Sequence, residues 1–313
     1  MDTRKLLKDN AIWLVFVLMV AIFTVYNPKF IKPSNLMNIA RQVAVYGIAS
    51  VGMTFVILIS GIDLSIGAII TFVNIICAYL MVNLGVNMWV AVIISITAAT
   101  LIGVLNGFMV STVGIPALIA TFAAQTVFDG VSYIISGGMP ISGFDKNFNI
   151  FGKWTIGIVP ISAIIMIVCF AAGAFILNKT YFGRYFYAIG GNEEAAKLSG
   201  IQVSNIKYLI YALSGFFAGL AGIVMLSRTG SAQNTAGLGY EFDVITCVVL
   251  GGVSVKGGIG RISGVIAGVL IIGSLTNGMI LMDVNSYTQK VVKGLVLAIA
   301  VGIDCLSNRN KLA

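Results

Sequence analysis

The sequence predicts an all-α polytopic membrane protein of about ten transmembrane helices, and three observations carry that expectation. Only 10% of the 313 residues are charged and 58% are hydrophobic, whereas a soluble domain carries about a quarter charged residues. The mean hydropathy is +1.01, so lipid must solvate much of the surface. No charged residue lies between Asp63 and Asp129, a stretch with room for about three crossings at about 20 residues each.

The first apolar run, AIWLVFVLMVAIFTVY (11–26), follows the basic MDTRKLLKDN. No A-x-A-like cleavage site follows it, so it reads as an uncleaved first span rather than a signal peptide. The segment NPKFIKPSNLMNIARQ (27–42) is expected to lie along the membrane surface. Further spans are expected near 43–60, 65–83, 89–110, 116–136, 159–178, 208–226, 244–255, 262–281 and 288–306. The run at 244–255 is short for a straight crossing and must tilt, break or extend through its flanking loop.

Loop charge orients the chain. With the N-terminus inside, the inner segments hold Arg4, Lys5, Lys8, Lys179, Arg184, Lys197, Lys207, Lys256, Arg261, Arg309 and Lys311. The outer ones hold Lys29, Lys32, Arg41, Lys146, Lys153 and Arg228. The basic excess places both termini and the loop 179–207 in the cytoplasm. The net charge of +8 therefore marks orientation, and no basic run with interleaved aromatics suggests nucleic acid. Lys290 and Lys293 sit near the outer end of the last span, where they either snorkel or line a water-filled path.

Several chemistries are absent. Without histidine there is no Ser-His-Asp triad and no His-Glu zinc site. The glycine-rich GGVSVKGGIGRISG (251–264) lacks the G-x-x-x-x-G-K-[ST] phosphate loop. Cys77, Cys169, Cys247 and Cys305 form no C-x-x-C pair and read as small core residues. Gly215 and Gly219, and Gly260, Gly264 and Gly268, recur every fourth position, a spacing that brings membrane helices close together.

Asp63, in SGIDLSIG (60–67), is an ionisable group near the inner ends of the second and third spans. It either serves function or caps the third span, with Leu64 and Ser65 in the first turn. Asn74, Asn106, Gln125, Asp129 and Asn277 are further polar points. The outer loop SRTGSAQNTAGLGYEFDVI (227–245) offers Gln233, Asn234 and Thr235 among its hydrogen-bonding side chains.

The stretch GGNEEAAKLSGI (190–201) is a water-facing helix in an apolar chain. Asn192 is its N-cap, and Glu193 and Glu194 favour its first turn. Glu193 and Lys197 are spaced for an ion pair, and Gly200 stops the helix. Two turns are not stable alone in water, so the helix must pack on something. Ala195, Ala196 and Ser199 are expected to be exposed small residues suited to a partner's groove. The residues alone leave a docking helix and a plain linker helix both open. They also leave open an ion-coupled secondary carrier with Asp63 as coupling site, a membrane enzyme and a channel.

Four stretches carry a family resemblance: GRYFYAIGGNEEAAKLSGIQVSNIKYLIYALSGFFAGLAGI (183–223), VGMTFVILISGIDLSIGAI (51–69), SAQNTAGLGYEFDVITCVVLGGVSVKGGIGRISG (231–264) and SYTQKVVKGLVLAIAVGID (286–304). Together they resemble the permeases of ribose-type ABC sugar importers. The resemblance implies one transmembrane permease domain over 1–313 with a cytoplasmic coupling loop at 179–207, in a prokaryotic plasma or inner membrane. It implies a second permease copy, a separate cytoplasmic ATPase and an extracytoplasmic sugar-binding protein, with no cofactor or metal and no catalysis in this chain. The helix formed by Asn192, Glu193, Glu194, Ala195, Ala196, Lys197, Leu198, Ser199 and Gly200 is then the contact through which the ATPase acts. A neutral polar sugar needs amides and hydroxyls, which makes Asp63, Asn106, Gln233, Asn234 and Thr235 candidates for the path or its gate.

Overall fold

The computed structural model describes residues 11–309. Helices dominate them: α1 (Ala11–Tyr26), α2 (Pro33–Leu58), α3 (Ile66–Val82), α4 (Met88–Ser111), α5 (Ala117–Ser136), α6 (Ile161–Lys179), α7 (Tyr181–Gly191), α8 (Glu193–Leu198), α9 (Val203–Thr229), α10 (Tyr240–Leu250), α11 (Ile262–Leu281) and α12 (Ser286–Arg309). Six of these, α2, α4, α5, α6, α9 and α11, are long and apolar enough to cross a membrane, while α1 and α3 are apolar but shorter. Short two-residue strands tie the connections together. β1 (Ile141–Ser142) pairs antiparallel with β4 (Ser231–Ala232), and β2 (Thr155–Ile156) with β3 (Val159–Pro160).

The architecture is an inverted repeat. The long, mostly buried helices α2 and α9 pack against each other at the centre. Around α9 lie α3 and α4, with α5 on both of these; around α2 lie α10 and α11, with α12 on both of these. Thus α2–α5 and α9–α12 repeat one pattern of neighbours. The two copies run in opposite senses. Towards and past the end of α2 the facing residues of α9 run backwards, from Ser214 against Gly52 to Tyr211 against Gly61.

Close approach at the centre depends on missing side chains. A Cβ on Gly52 would lie 2.8 Å from the Ser214 Cα, and one on Gly103 or Gly215 would strike the carbonyl of Tyr211 or Ala99. Without a hydrophobic drive between helices in lipid, such backbone contact is a main source of association. Of the predicted stripes, Gly215, Gly219, Gly264 and Gly268 all sit at such contacts. Gly260 does not belong to a stripe, because α11 begins only at Ile262.

Three expectations are corrected here. The segment 33–42 does not form a separate surface stretch but opens α2, with Pro33 in the first turn, where its missing N–H costs nothing. Its polar Asn35 is satisfied by a reciprocal amide pair with Asn277 on α11, at 2.8 and 3.1 Å. The run expected at 244–255 is a helix of 11 residues starting at Tyr240, about 16 Å long against a membrane core of roughly 30 Å. A non-helical segment precedes it. Its repeat partner α3 is likewise preceded by a non-helical stretch after Leu58. Finally, Cys305 is exposed, unlike the buried Cys77, Cys169 and Cys247.

Candidate functional site

The stretch between α6 and α9 is built as a braced platform. α7 is amphipathic and buries Gly183, Phe186 and Ile189. Phe186 packs 5.5 Å from Phe55, centroid to centroid, and the Tyr187 hydroxyl donates to the Gly260 carbonyl at 2.9 Å. Asn192 caps α8 as expected, its Oδ1 accepting from the Ala195 N–H at 2.9 Å. Gly200 takes φ +84° just past its end, a conformation that glycine adopts without penalty.

The ion pairs are denser than the spacing suggested. Lys197 reaches both Glu193 and Glu194 at 3.1 Å, and Lys207 on α9 reaches Glu193 at 2.8 Å. Partial burial pushes the Glu193 carboxyl up, but the hydrogen bonds from Lys207 and Lys197 outweigh it and hold the carboxyl below its ordinary value. The tie is therefore fully formed above the usual carboxylate pKa and is lost as pH falls through the lowered value. At neutral pH it anchors α8 to α9.

The exposure pattern of α8 overturns part of the expectation. Ala196 is 4% exposed and belongs to the chain's own core, whereas Ala195 and Ser199 are exposed as expected. Leu198 is 89% exposed. Ala196 is a foot of α8, and Leu198 is its outward knob.

The second constellation lies where the two interrupted helices meet. The Gly237 N–H donates to Thr71 Oγ1 at 2.9 Å, and Glu241 packs on Gly67, so the starts of α3 and α10 touch. Just before α3, Asp63 is fully buried. Its Oδ1 accepts from the Ser65 N–H (3.0 Å) and hydroxyl (2.6 Å), and its Oδ2 from the Ser214 hydroxyl (2.7 Å). Asn106 on α4 donates to Ser65 Oγ at 2.8 Å. One correction follows: α3 starts at Ile66, so Leu64 and Ser65 precede it. Asp63 lies between the end of α2 and the start of α3, tied to Ser214 part-way along α9.

A family model described as the permease component of the branched-chain amino acid transport system matches residues 35–301. The ribose import permease of Bacillus subtilis is 45% identical over 289 residues, covering 92% of this chain and 89% of that protein. The Haemophilus influenzae ribose import permease is 40% identical over 98% of this chain and 96% of its own length. The L-arabinose transport permease of Escherichia coli K12 is 36% identical over 95% and 90%. The chain belongs to the ribose-type ABC permease family. No solved structure matches it.

As a permease it is a transporter subunit and not an enzyme, and its polar side chains are to be judged by what they offer a solute. Asp63 and Asn106 come together, but as a buried tie among α3, α4 and α9. Gln233 and Thr235 are exposed, while Asn234 is half-buried and accepts from Ser136 on α5 at 2.9 Å. Lys293 does not snorkel. It pairs with Asp243 on α10 at 2.8 Å and lies 5.7 Å from the centroid of the Tyr46 ring, which stacks on Tyr240 at 4.8 Å. Lys290 remains exposed.

Sequence reasoning did not single out Tyr46 or the pairing of Asp243. The available signal was charge: two lysines on the last apolar helix require an acceptor, and α10 carries two carboxylates in its first turn. Gln125, noted only as a weak polar point, sends its Nε2 to Glu241 Oε1 at 3.4 Å.

Proposed function

We propose that this chain is the membrane subunit of an ATP-driven importer of ribose, working as a pair of copies with a cytoplasmic ATPase and an extracytoplasmic sugar-binding protein. The graded similarity carries the choice of sugar: ribose permeases from different bacteria stand at 40–45% identity and an arabinose permease at 36%. The chain crosses a prokaryotic plasma membrane ten times. The six long helices, α1, α3 and α12 each cross, and α10 crosses together with the non-helical 231–239. Both termini and the segment α7–α8 face the cytoplasm, consistent with the basic excess there. An ATPase can drive alternation only by contacting the outward-open and inward-open states differently, and α8, with Leu198 outermost, is where that contact is made. Gln233, Asn234 and Thr235 form the outer gate.

Thiol labelling and uptake test this together. In a permease stripped of native cysteines, an impermeant reagent on intact cells should modify Ser231→Cys and spare Ser204→Cys. The same cells should take up D-ribose in an ATP-dependent manner. Labelling of Ser204→Cys alone would invert the topology, and ribose uptake indifferent to ATP would favour an ion-coupled carrier.

A further inference from the structure

One face of α5 carries two side chains, Gln125 and Asp129, that lipid solvates poorly. Phe122, Gln125, Thr126 and Asp129 recur at helical spacing, so they share a face. Phe122 is 57% exposed, Thr126 is exposed, and Gln125 and Asp129 are half-buried. An ionisable side chain part-way along an apolar span belongs against water or protein, so this strip does not face acyl chains. At one end of α5, Ser136 hydrogen-bonds Asn234, in the segment leading to α10. Further along, Gln125 meets Glu241 in the first turn of α10. Glu241 is 2% exposed, and its Oε2 has no hydrogen-bond partner. A buried carboxylate oxygen without a donor is costly, and here it lies at the junction of the two interrupted helices, with a bridging amide and a second carboxylate on the neighbouring face.

We infer that Gln125, Asp129 and Glu241 form a hydroxyl-binding station for a neutral monosaccharide part-way along the path. This rests on the proposed importer function. Carboxylate oxygens accept from sugar hydroxyls, and the Gln125 amide can both donate and accept. The exposed Phe122 ring offers an apolar surface to the C–H face of a pyranose or furanose. Charge-assisted bonds of this kind are stronger than neutral ones, yet the set carries no positive group that would trap an anion. Such a station gives the permease its own check on the sugar, after the binding protein has released it.

The test uses the complete importer in intact cells, with the permease stripped of its native cysteines. Thr126→Cys should react with a small water-soluble methanethiosulfonate, whereas Leu101→Cys, on the exposed apolar face of α4, should not. D-ribose should slow the reaction at Thr126→Cys, and mannitol at the same concentration should leave it unchanged. Asp129→Asn should accumulate in the membrane and recover the ATPase, yet lower ribose uptake about tenfold or more, the loss of one charge-assisted bond. The inference is overturned if Thr126→Cys is as inert as Leu101→Cys, if ribose and mannitol act alike, or if Asp129→Asn and Gln125→Ala both transport at the parental rate. Should Asp129→Asn fail to accumulate, the labelling result decides alone. Failure of the unmodified importer to take up ribose would instead refute the function proposed above.

Discussion

Leu198→Arg is expected to abolish ribose uptake while leaving the permease folded and in the membrane. Arginine is a good helix former, and a cation in the last turn of α8 suits the helix dipole. Leu198 is almost wholly exposed within the chain, so nothing in the protomer opposes the larger side chain. An apolar groove that accepts leucine would have to bury an unpaired guanidinium, at a cost of about 3 kcal/mol or more, roughly a hundredfold in affinity. Membrane abundance should be unchanged, and the ATPase should no longer co-purify. Ala196→Arg should behave differently. Ala196 is packed into the chain's own core, so the charge displaces α8 from its bed, and accumulation falls along with uptake. Normal uptake by Leu198→Arg would move the contact to another part of 179–207.

The second large effect is expected at Asp63. Asp63→Ala removes the acceptor for the Ser65 N–H, the Ser65 hydroxyl and the Ser214 hydroxyl, all at a buried site. Each stranded donor costs about 1–3 kcal/mol, so the sum is a large part of a typical stability of about 5–15 kcal/mol. Immunoblots of membranes should show severe loss of the protein, with Asp63→Asn intermediate because its amide oxygen still accepts. An ion-coupled carrier predicts the reverse: Asp63→Asn at normal abundance, with downhill ribose movement intact and coupling to an ion gradient lost.

The helices were legible because crossing a membrane demands long apolar runs, and the expected 262–281 coincides with α11. The start of α2 was not legible. Lys29, Lys32 and Asn35 look like surface residues, and the side-chain partner of Asn35, Asn277, lies 242 positions away. The repeat was also hidden, because its halves share a neighbour pattern rather than an obvious sequence. Its trace is the pair of interrupted apolar segments, SGIDLSIG and TAGLGYEF, at corresponding places. In α8 the cap and stop at Asn192 and Gly200 are local and could be read directly. Which face packs inward could not, since six residues give no usable period. The tie from Lys207 to Glu193 and the neighbouring helices turn Ala196 in and Leu198 out. The polar strip of α5 was visible only as separate weak points until α10 was placed beside it.

The central claim is that α8 is where an ATPase touches this permease. A photoreactive phenylalanine analogue in place of Leu198, irradiated in cells, tests it most directly. The account predicts an ATP-dependent crosslink to a cytoplasmic ATPase from position 198 and none when the analogue replaces Leu101. A crosslink from 198 that reaches only lipid or the permease itself, under conditions of active ribose uptake, would contradict it.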